Sequence, residues 1–184
     1  MAKKNKSIVL TGFMGSGKST TGLGLSYRMQ YPLIDTDKMI EKRERMSIPE
    51  MFAARGENYF RERETELLRE LQNERGERIF SVGGGTPLRA ENVRLLRELG
   101  MVVYLKVSAE TVCERLKGDT ARPLLQGGDP EEKIRKLLQE REARYMEAAD
   151  IVIGTDGKKT VQVVEEIVAA VEERGYRPVK GGKI

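Results

Sequence analysis

The sequence predicts an α/β protein built on a parallel sheet, because apolar strand-like runs alternate with helical periodicity along all 184 residues. Five runs are candidate strands: residues 7–11, 32–35, 78–82, 101–106 and 151–153. The first run is β-branched and apolar, as expected of a strand buried on both faces. A glycine-rich segment and then a helical pattern follow it directly. This order of elements is typical of folds that bind phosphate groups.

The composition predicts one globular domain spanning residues 1–184. Hydrophobic residues make up 39% and charged residues 34% of the chain, without a long polar tract that would favour disorder. The net charge of +4 is interleaved along helices, and the aromatic residues are six tyrosines and four phenylalanines. Nucleic-acid binding typically needs a basic cluster with aromatic platforms. We therefore expect no nucleic-acid partner.

Residue types that are scarce or missing limit the chemistry. The single cysteine, Cys113, excludes an intramolecular disulfide and a cysteine-based zinc site. The chain contains no histidine, so proton transfer must use a carboxylate, a lysine or the substrate. No apolar run approaches the length of a membrane span, and the basic residues 1–6 precede no long apolar stretch. We expect a cytoplasmic monomer with no membrane partner.

Residues 12–19 read Gly-Phe-Met-Gly-Ser-Gly-Lys-Ser and match the phosphate-binding pattern G-x-x-x-x-G-K-[ST]. The glycines allow the backbone N–H groups to turn inward around phosphate oxygens. Lys18 would reach the β- and γ-phosphates, and the Ser19 hydroxyl would bind Mg²⁺. The alternative is an ordinary glycine-rich turn that caps a helix. The Lys-Ser pair at the required offset after a strand favours a site for a nucleoside triphosphate.

Two carboxylates follow the second candidate strand, in Asp35-Thr36-Asp37. Ligands of parallel sheets collect at the carboxyl ends of the strands. Asp35 is placed to hold Mg²⁺ through a water molecule, and Asp37 to accept a hydrogen bond, and a proton, from a substrate hydroxyl. The alternative is that one of the two only caps the following helix.

Three glycines, Gly83, Gly84 and Gly85, follow the third candidate strand. Without side chains, this backbone can approach a ligand closely. The alternative is a flexible turn before the next helix. No strand in this region ends in Asp-Glu, so the sequence favours transfer to a bound acceptor over hydrolysis by an activated water.

A helical excursion of about 37–75 separates the second and third strands, and we predict that it binds the small substrate. Ser47, Pro49 and Glu50 form a helix-start signal, and Gly56 is predicted to end that short helix before a second one begins. The alternative is a plain helical hairpin that covers the sheet edge.

Two segments lack a regular pattern. Residues of about 117–130 are punctuated by glycine and proline and contain Arg122, which predicts a lid that closes over a charged ligand. Asp129 and Pro130 are the expected cap and first residue of the next helix. Residues 175–184 are predicted to form a loose tail.

Three arginines are candidates for binding anions. Arg61 precedes Glu64 by one helical turn, which is suited to orienting a guanidinium toward a substrate carboxylate. Arg122 lies in the predicted lid, where it could reach phosphoryl oxygens, and Arg141 lies one turn before Tyr145. The alternative for each arginine is a surface salt bridge of little energetic value.

Taken in order, these motifs resemble those of the shikimate kinases. The resemblance covers residues 7–172 and rests on the motifs at 12–19, 35–37, 56–61, 83–85, 122–125 and 141–145. Members of that family have a fold like that of nucleoside-monophosphate kinases, a three-layer structure in which helices flank a five-stranded parallel sheet. They use ATP and Mg²⁺ to phosphorylate the 3-hydroxyl of shikimate, on the route to aromatic amino acids.

The resemblance implies a role for each matching residue. Lys18, Asp37 and Arg122 would be catalytic. ATP would contact residues of the phosphate loop, the lid and two flanking segments: Gly15, Ser16, Gly17, Lys18, Ser19, Thr20, Arg115, Arg122 and Lys158. Shikimate would be held by Asp37, Arg61, Gly83, Gly84, Gly85 and Arg141. Mg²⁺ would be bound by Ser19 and, through water, by Asp35.

Other functions stay open on the residues alone. The fold also suits gluconate and nucleotide kinases, a catalytically silent nucleotide-binding protein, or a basic nucleic-acid binder. The set Arg61, Arg141 and Asp37 favours an acceptor with a carboxylate, because a nucleotide acceptor would need base and phosphate contacts. The chain departs from the family pattern at residues 22–26 and at Ser81-Val82, but neither departure removes a named ligand.

Overall fold

A computed structural model of the chain describes residues 6–117 and 128–179. Its strands form one sheet of five parallel strands in the order β2-β3-β1-β4-β5. The strands are β1 (Ile8–Thr11), β2 (Leu33–Asp35), β3 (Ile79–Ser81), β4 (Met101–Lys106) and β5 (Ile151–Gly154). The predicted parallel α/β fold is therefore confirmed, with strand ends shifted by one residue in most cases.

Helices cover both faces of this sheet, which makes three layers. They are α1 (Lys18–Met29), α2 (Thr36–Glu44), α3 (Ile48–Leu71), α4 (Ala90–Leu99), α5 (Ala109–Arg115), α6 (Pro130–Ala148) and α7 (Thr160–Glu172). Ile8 and Leu10 of β1 pack with α1 and α7, whereas Val9 between them packs with α3 and α4. This alternation follows from the two-residue period of a strand, whose successive side chains point to opposite faces.

The helical excursion after β2 begins with the predicted helix-start signal. Ser47 and Glu50 form a complete capping box at the amino end of α3, with Pro49 in the first turn. Gly56 interrupts α3 with φ 80° and ψ 167°, so two helices meet there at a kink, as the sequence predicted. The second of these helices, after Gly56, packs against α4 and carries most of the buried residues of α3.

The two segments without a regular pattern have different outcomes. The lid prediction, including Arg122, falls largely on residues 118–127 and lies outside the described residues. Asp129 caps α6 and Pro130 is its first residue, as predicted. The loose tail is wrong for residues 175–179, because Tyr176 is buried in the core and Val179 N–H donates to the Met29 carbonyl at 3.1 Å.

The topology brings three functional segments to one edge of the sheet. Residues 12–17 follow β1, Asp35 ends β2, and residues 83–85 follow the neighbouring strand β3. Because all strands are parallel, their carboxyl ends meet at this edge. Among residues 6–117 and 128–179, no helix is long and apolar enough to cross a membrane.

Candidate active site

The loop between β1 and α1 has the backbone shape of a phosphate-binding loop. Gly15 and Gly17 have φ of 76° and 89°, in the left-handed region that favours glycine. Gly17 caps α1 without a side-chain hydrogen bond, which leaves the first N–H groups of the helix available to an anion. The Lys18 ammonium donates to the carbonyls of Gly12 and Phe13 at 2.7 and 3.0 Å, so it lies across the mouth of the loop.

A polar cavity beside this loop brings together the predicted metal and phosphate residues. It is lined by Lys18, Ser19, Asp35, Asp37 and Gly84, among others. Asp35 caps α2, because its side chain accepts a hydrogen bond from the Lys38 N–H at 3.1 Å. Helix capping was the alternative to metal binding for one of the two aspartates. Asp35 also lines the cavity, so the same side chain can cap the helix and face a bound ion.

Asp37 has the most perturbed environment of the site. Its Oδ1 atom is buried and accepts no hydrogen bond from the described residues. Burial raises the pKa of Asp37 to about 7, helped by the nearby carboxylates of Glu64 and Asp35 and opposed by Lys18 and Arg61. A carboxyl group that titrates near neutrality is suited to exchange a proton with a substrate hydroxyl.

A second, more apolar pocket adjoins the phosphate cavity and shares Met14, Asp37 and Gly84 with it. Its walls are apolar side chains and glycine backbone, and its charged groups are two arginines and one aspartate. The lining residues are Met14, Asp37, Ile48, Phe52, Phe60, Arg61, Gly83, Gly84, Gly85 and Arg141. All six predicted shikimate-binding residues therefore line one pocket.

Arg61 is held in this pocket by an ion-pair network. The side chain is only 8% exposed, and its Nη1 donates to Glu64 at 2.7 Å. Glu57 accepts from Nη2 and Nε at 2.9 and 3.1 Å. Glu64 is buried too, and it also accepts from the Thr86 hydroxyl at 2.5 Å. The surface salt bridge proposed as an alternative for Arg61 is therefore wrong, and the guanidinium has a fixed orientation.

The three glycines after β3 leave space for the charged groups of the pocket. None of them has a positive φ, unlike the glycines of the phosphate loop. A Cβ atom on Gly85 would lie 2.2–2.3 Å from the Arg61 guanidinium, and one on Gly83 would lie 2.7 Å from Glu64 and 2.8 Å from Asp37. Side chains at these two positions would displace the charged groups of the pocket, so close packing is a reason for glycine here whether or not the turn is flexible.

Arg141 enters the same pocket from α6. It is 5% exposed, and its guanidinium carbon lies 5.7 Å from the centre of the Phe13 ring. A cation over an aromatic face is stabilised by the ring quadrupole. Arg61 and Arg141 thus reach one pocket from two separate helices, an arrangement suited to binding a carboxylate.

A third cavity lies on the other side of the phosphate loop, where Arg115 and Lys158 were expected. It is lined by Ser16, Gly17, Thr20, Thr21, Arg115, Thr155, Lys158, Thr160 and Val163. Arg115 Nη1 donates to the Gly15 carbonyl at 2.8 Å, and Lys158 pairs with Glu166 at 2.7 Å. Asp156 joins the loop after β5 to α5, accepting from the Ser108 N–H at 3.0 Å and from its hydroxyl at 2.9 Å.

Sequence reasoning missed several supporting residues of the site. Thr86 fixes Glu64, and Asn92 donates to the Thr86 carbonyl at 2.8 Å. Asn92 is fully buried on a helix whose other polar residues are charged and exposed. The sequence did carry a signal for Asn92, because it is a lone asparagine at an apolar position of α4 and such a residue is expected to form a buried hydrogen bond. Thr86 had no signal beyond its place after the three glycines.

The phosphate loop, the adjoining pocket and its buried charges define a small-molecule kinase of the P-loop class, with an acceptor site beside the phosphates. Residues 14–172 match the family model described as shikimate kinase. The chain therefore belongs to the shikimate kinase family. The motif-based resemblance is confirmed, as is the assignment of a kinase.

Individual relatives agree with this assignment. The chain is 43% identical to a shikimate kinase of Sulfurihydrogenibium sp. (strain YO3AOP1), with 92% of this chain and 99% of the relative covered. It is 45% identical to one from Geobacter sulfurreducens, with 91% and 92% covered. A solved shikimate kinase from Acinetobacter baumannii in complex with shikimate superposes with a TM-score of 0.87 at 35% identity, covering 92% and 94%.

Proposed function

We propose that the protein transfers the γ-phosphoryl group of ATP to the 3-hydroxyl of shikimate, giving shikimate 3-phosphate and ADP. One observation carries this proposal: Arg61, Arg141 and Asp37 line a pocket that shares Met14, Asp37 and Gly84 with the phosphate cavity. A carboxylate bound by the arginines would leave the hydroxyl end of a small acceptor toward the phosphates.

The two arginines bind the acceptor carboxylate. A guanidinium is planar and always charged, and it presents paired N–H donors that match a carboxylate. Glu64 and Glu57 hold the Arg61 guanidinium in place before the ligand arrives, so little side-chain entropy is lost on binding. The apolar wall of the pocket excludes water from the ring of the bound shikimate; it is formed by Ile48, Phe52 and Phe60.

Asp37 accepts the hydroxyl proton as the reaction proceeds. The bond from the hydroxyl oxygen to the γ-phosphorus forms while the bond from that phosphorus to the β,γ-bridging oxygen breaks, and ADP leaves with that oxygen. The pKa of about 7 makes Asp37 an effective acceptor when it is ionised. The backbone of Gly83, Gly84 and Gly85 lines the same pocket and offers its polar groups to the acceptor.

The phosphate loop and α1 bind the ATP phosphates through the N–H groups of residues 15–20 and the Lys18 ammonium. Ser19 and Asp35 supply the hydroxyl and carboxylate oxygens that suit Mg²⁺, and Mg²⁺ would neutralise phosphate charge. No group of three or more acidic or cysteine side chains that could hold a metal forms among residues 6–117 and 128–179.

The cavity between Arg115 and Lys158 is proposed for adenine. Arg122 is proposed to close over the transferring phosphoryl group as part of a lid at about 117–130. We further propose a single domain over 1–184, whose helices at about 37–75 bind the substrate, acting as a monomer in the cytoplasm. The use of ATP supports that location.

The direct test is ADP production by the purified protein with ATP and Mg²⁺, in parallel with shikimate, gluconate, AMP or no acceptor. We expect ADP only with shikimate, together with a phosphate ester of shikimate identified by mass spectrometry. Activity restricted to gluconate or AMP would discard the roles of Arg61 and Arg141. ADP release without an acceptor would discard phosphoryl transfer in favour of hydrolysis.

A further inference from the structure

Tyr145 is a buried polar group that the proposed chemistry does not use. It lies on α6 one turn after Arg141 and is fully buried. Its ring stacks on that of Tyr104, with 5.0 Å between centroids and 27° between planes. Its hydroxyl donates a hydrogen bond to the carbonyl of Gly84, 61 residues away in sequence. The ring belongs to the core, whereas the hydroxyl reaches the lining of the acceptor pocket.

Arg141 lies one turn earlier on the same helix, so the bond from the Tyr145 hydroxyl to Gly84 ties the segment of α6 that carries Arg141 to the glycine segment. Burial raises the pKa of Tyr145 to about 12, although Arg141 lowers it. The hydroxyl therefore keeps its proton, and its bond to Gly84, throughout the pH range in which the enzyme would work.

Gly84 occupies the boundary between the two ligand cavities. It lines both the phosphate cavity and the acceptor pocket. A Cβ atom on Gly84 would lie 3.2 Å from the Gly12 carbonyl oxygen and 3.5 Å from the Met14 amide nitrogen, so its backbone packs directly on the phosphate loop. A shift of this peptide would change the position of the acceptor relative to the phosphates.

We propose that Tyr145 is a positioning residue, whose hydroxyl ties α6, the helix that carries Arg141, to the Gly84 peptide and so fixes the carboxylate-binding group relative to the glycine segment. The inference rests on the proposed function of this pocket. Without the hydroxyl, the Gly84 carbonyl loses its donor and α6 loses its bond to the glycine segment, while the ring and its packing remain. Both changes fall on the acceptor, and the adenine cavity across the phosphate loop keeps its contacts.

The test compares Tyr145→Phe with Tyr104→Phe, which removes the same atom from the stacked partner ring. Steady-state kinetics would give kcat and the KM values of shikimate and ATP for both variants and the wild type. We expect Tyr145→Phe to raise the shikimate KM by about tenfold, as for the loss of one buried hydrogen bond. The ATP KM should change by less than about twofold, and Tyr104→Phe should leave both KM values near wild type.

A second readout does not depend on the acceptor being shikimate. Hydrogen–deuterium exchange of the peptide that spans residues 82–86 should accelerate in Tyr145→Phe and stay at the wild-type rate in Tyr104→Phe. Phosphorylation of another acceptor by the wild type would refute only the proposed function. Faster exchange in Tyr145→Phe would still support the inference in that case. The inference would be overturned if the two variants had equal exchange rates and equal shikimate KM values. A purely structural role of Tyr145 would lower Tm but would leave these two quantities the same in both variants.

Discussion

The proposed acceptor pocket and the proposed nucleotide cavities would recognise anions by different physical means. The acceptor pocket uses buried side chains, since Arg61 and Arg141 are 8% and 5% exposed and each has fixed partners. The nucleotide side offers backbone N–H groups of a glycine loop with left-handed residues, assisted by exposed cations such as Arg115. The first arrangement depends on the identity of distant residues, and the second on the conformation of a short local segment.

This difference has an energetic consequence. Removing one member of a buried ion pair leaves an uncompensated charge, which costs roughly 3–5 kcal/mol. An exposed pair such as Lys158 with Glu166 contributes at most about 1 kcal/mol. Substitutions on the acceptor side should therefore affect stability and binding together. Substitutions of exposed charges on the nucleotide side should weaken ATP binding alone, and by less.

The largest expected effect is that of Asp37→Asn. The variant keeps the shape of Asp37 but cannot take the hydroxyl proton, so we expect kcat to fall by about 10³-fold. At pH 8 the substitution also removes a buried charge, one of whose oxygens has no hydrogen bond from the described residues, so Tm should rise by roughly 3 °C. Measurements of kcat and of Tm on one preparation check these two expectations. A variant that kept a tenth of wild-type kcat would contradict the proton-accepting role.

Arg61→Ala tests the side-chain basis of acceptor binding. Loss of the guanidinium leaves Glu64 buried without its cation and the acceptor carboxylate without a partner. We expect the shikimate Kd measured by calorimetry to rise by about 100-fold, in line with lost hydrogen bonds between charged groups. Arg69→Ala is the matched control, because Arg69 lies on the same helix and forms an exposed pair with Glu91. An unchanged Kd in Arg61→Ala would contradict the carboxylate assignment.

The pH dependence should follow the Asp37 carboxyl group. With a pKa of about 7, Asp37 is mostly protonated at pH 6 and mostly ionised at pH 8, so kcat/KM for shikimate should rise about tenfold between them. The sign for stability is opposite. Because the folded state holds this proton more tightly than the unfolded state, the free energy of unfolding contributed by Asp37 falls as the pH rises from about 4 through 7. A flat activity profile in Asp37→Asn would be the control.

The same contrast explains what the sequence could predict. The phosphate loop is a local segment whose glycine and lysine positions determine its conformation, so a contiguous motif was sufficient. The alternation of strands and helices was likewise readable, because each element carries its own period. Arg61, Arg141 and Gly85 are far apart in sequence and meet only through the fold. Their assignment needed the resemblance to a family, since any single arginine in so charged a chain resembles a surface residue.

Packing between distant segments was the part that sequence patterns could not supply. Residues 175–179 have the composition of a loose tail, yet Tyr176 is buried and the Tyr31 hydroxyl donates to the Arg177 carbonyl at 2.9 Å. The link from Thr86 to Glu64 also depends on two elements that only the folded chain brings together. Local composition therefore gave the wrong answer where tertiary contacts decide.

The smallest expected effect sharpens the contrast on the nucleotide side. Although partial burial raises it, hydrogen bonds from Thr111 and Ser108 hold the pKa of Asp156 below its usual value, so the carboxylate is an ionised link between α5 and the loop after β5. Asp156→Ala should loosen one wall of the adenine cavity and raise the ATP KM by about threefold to fivefold, with the shikimate KM unchanged.

Asp150→Ala is the matched control for that variant. Asp150 also accepts a backbone hydrogen bond, from the Val102 N–H at 2.9 Å, but it lies at the opposite end of β5. Both substitutions remove a charged acceptor from a backbone donor, so their costs to stability should be similar, whereas only Asp156→Ala should affect ATP. A parallel rise of the shikimate KM in Asp156→Ala would break the separation of the two sides. It would mean that α5, through the Arg115 bond to Gly15, also sets the position of the acceptor pocket.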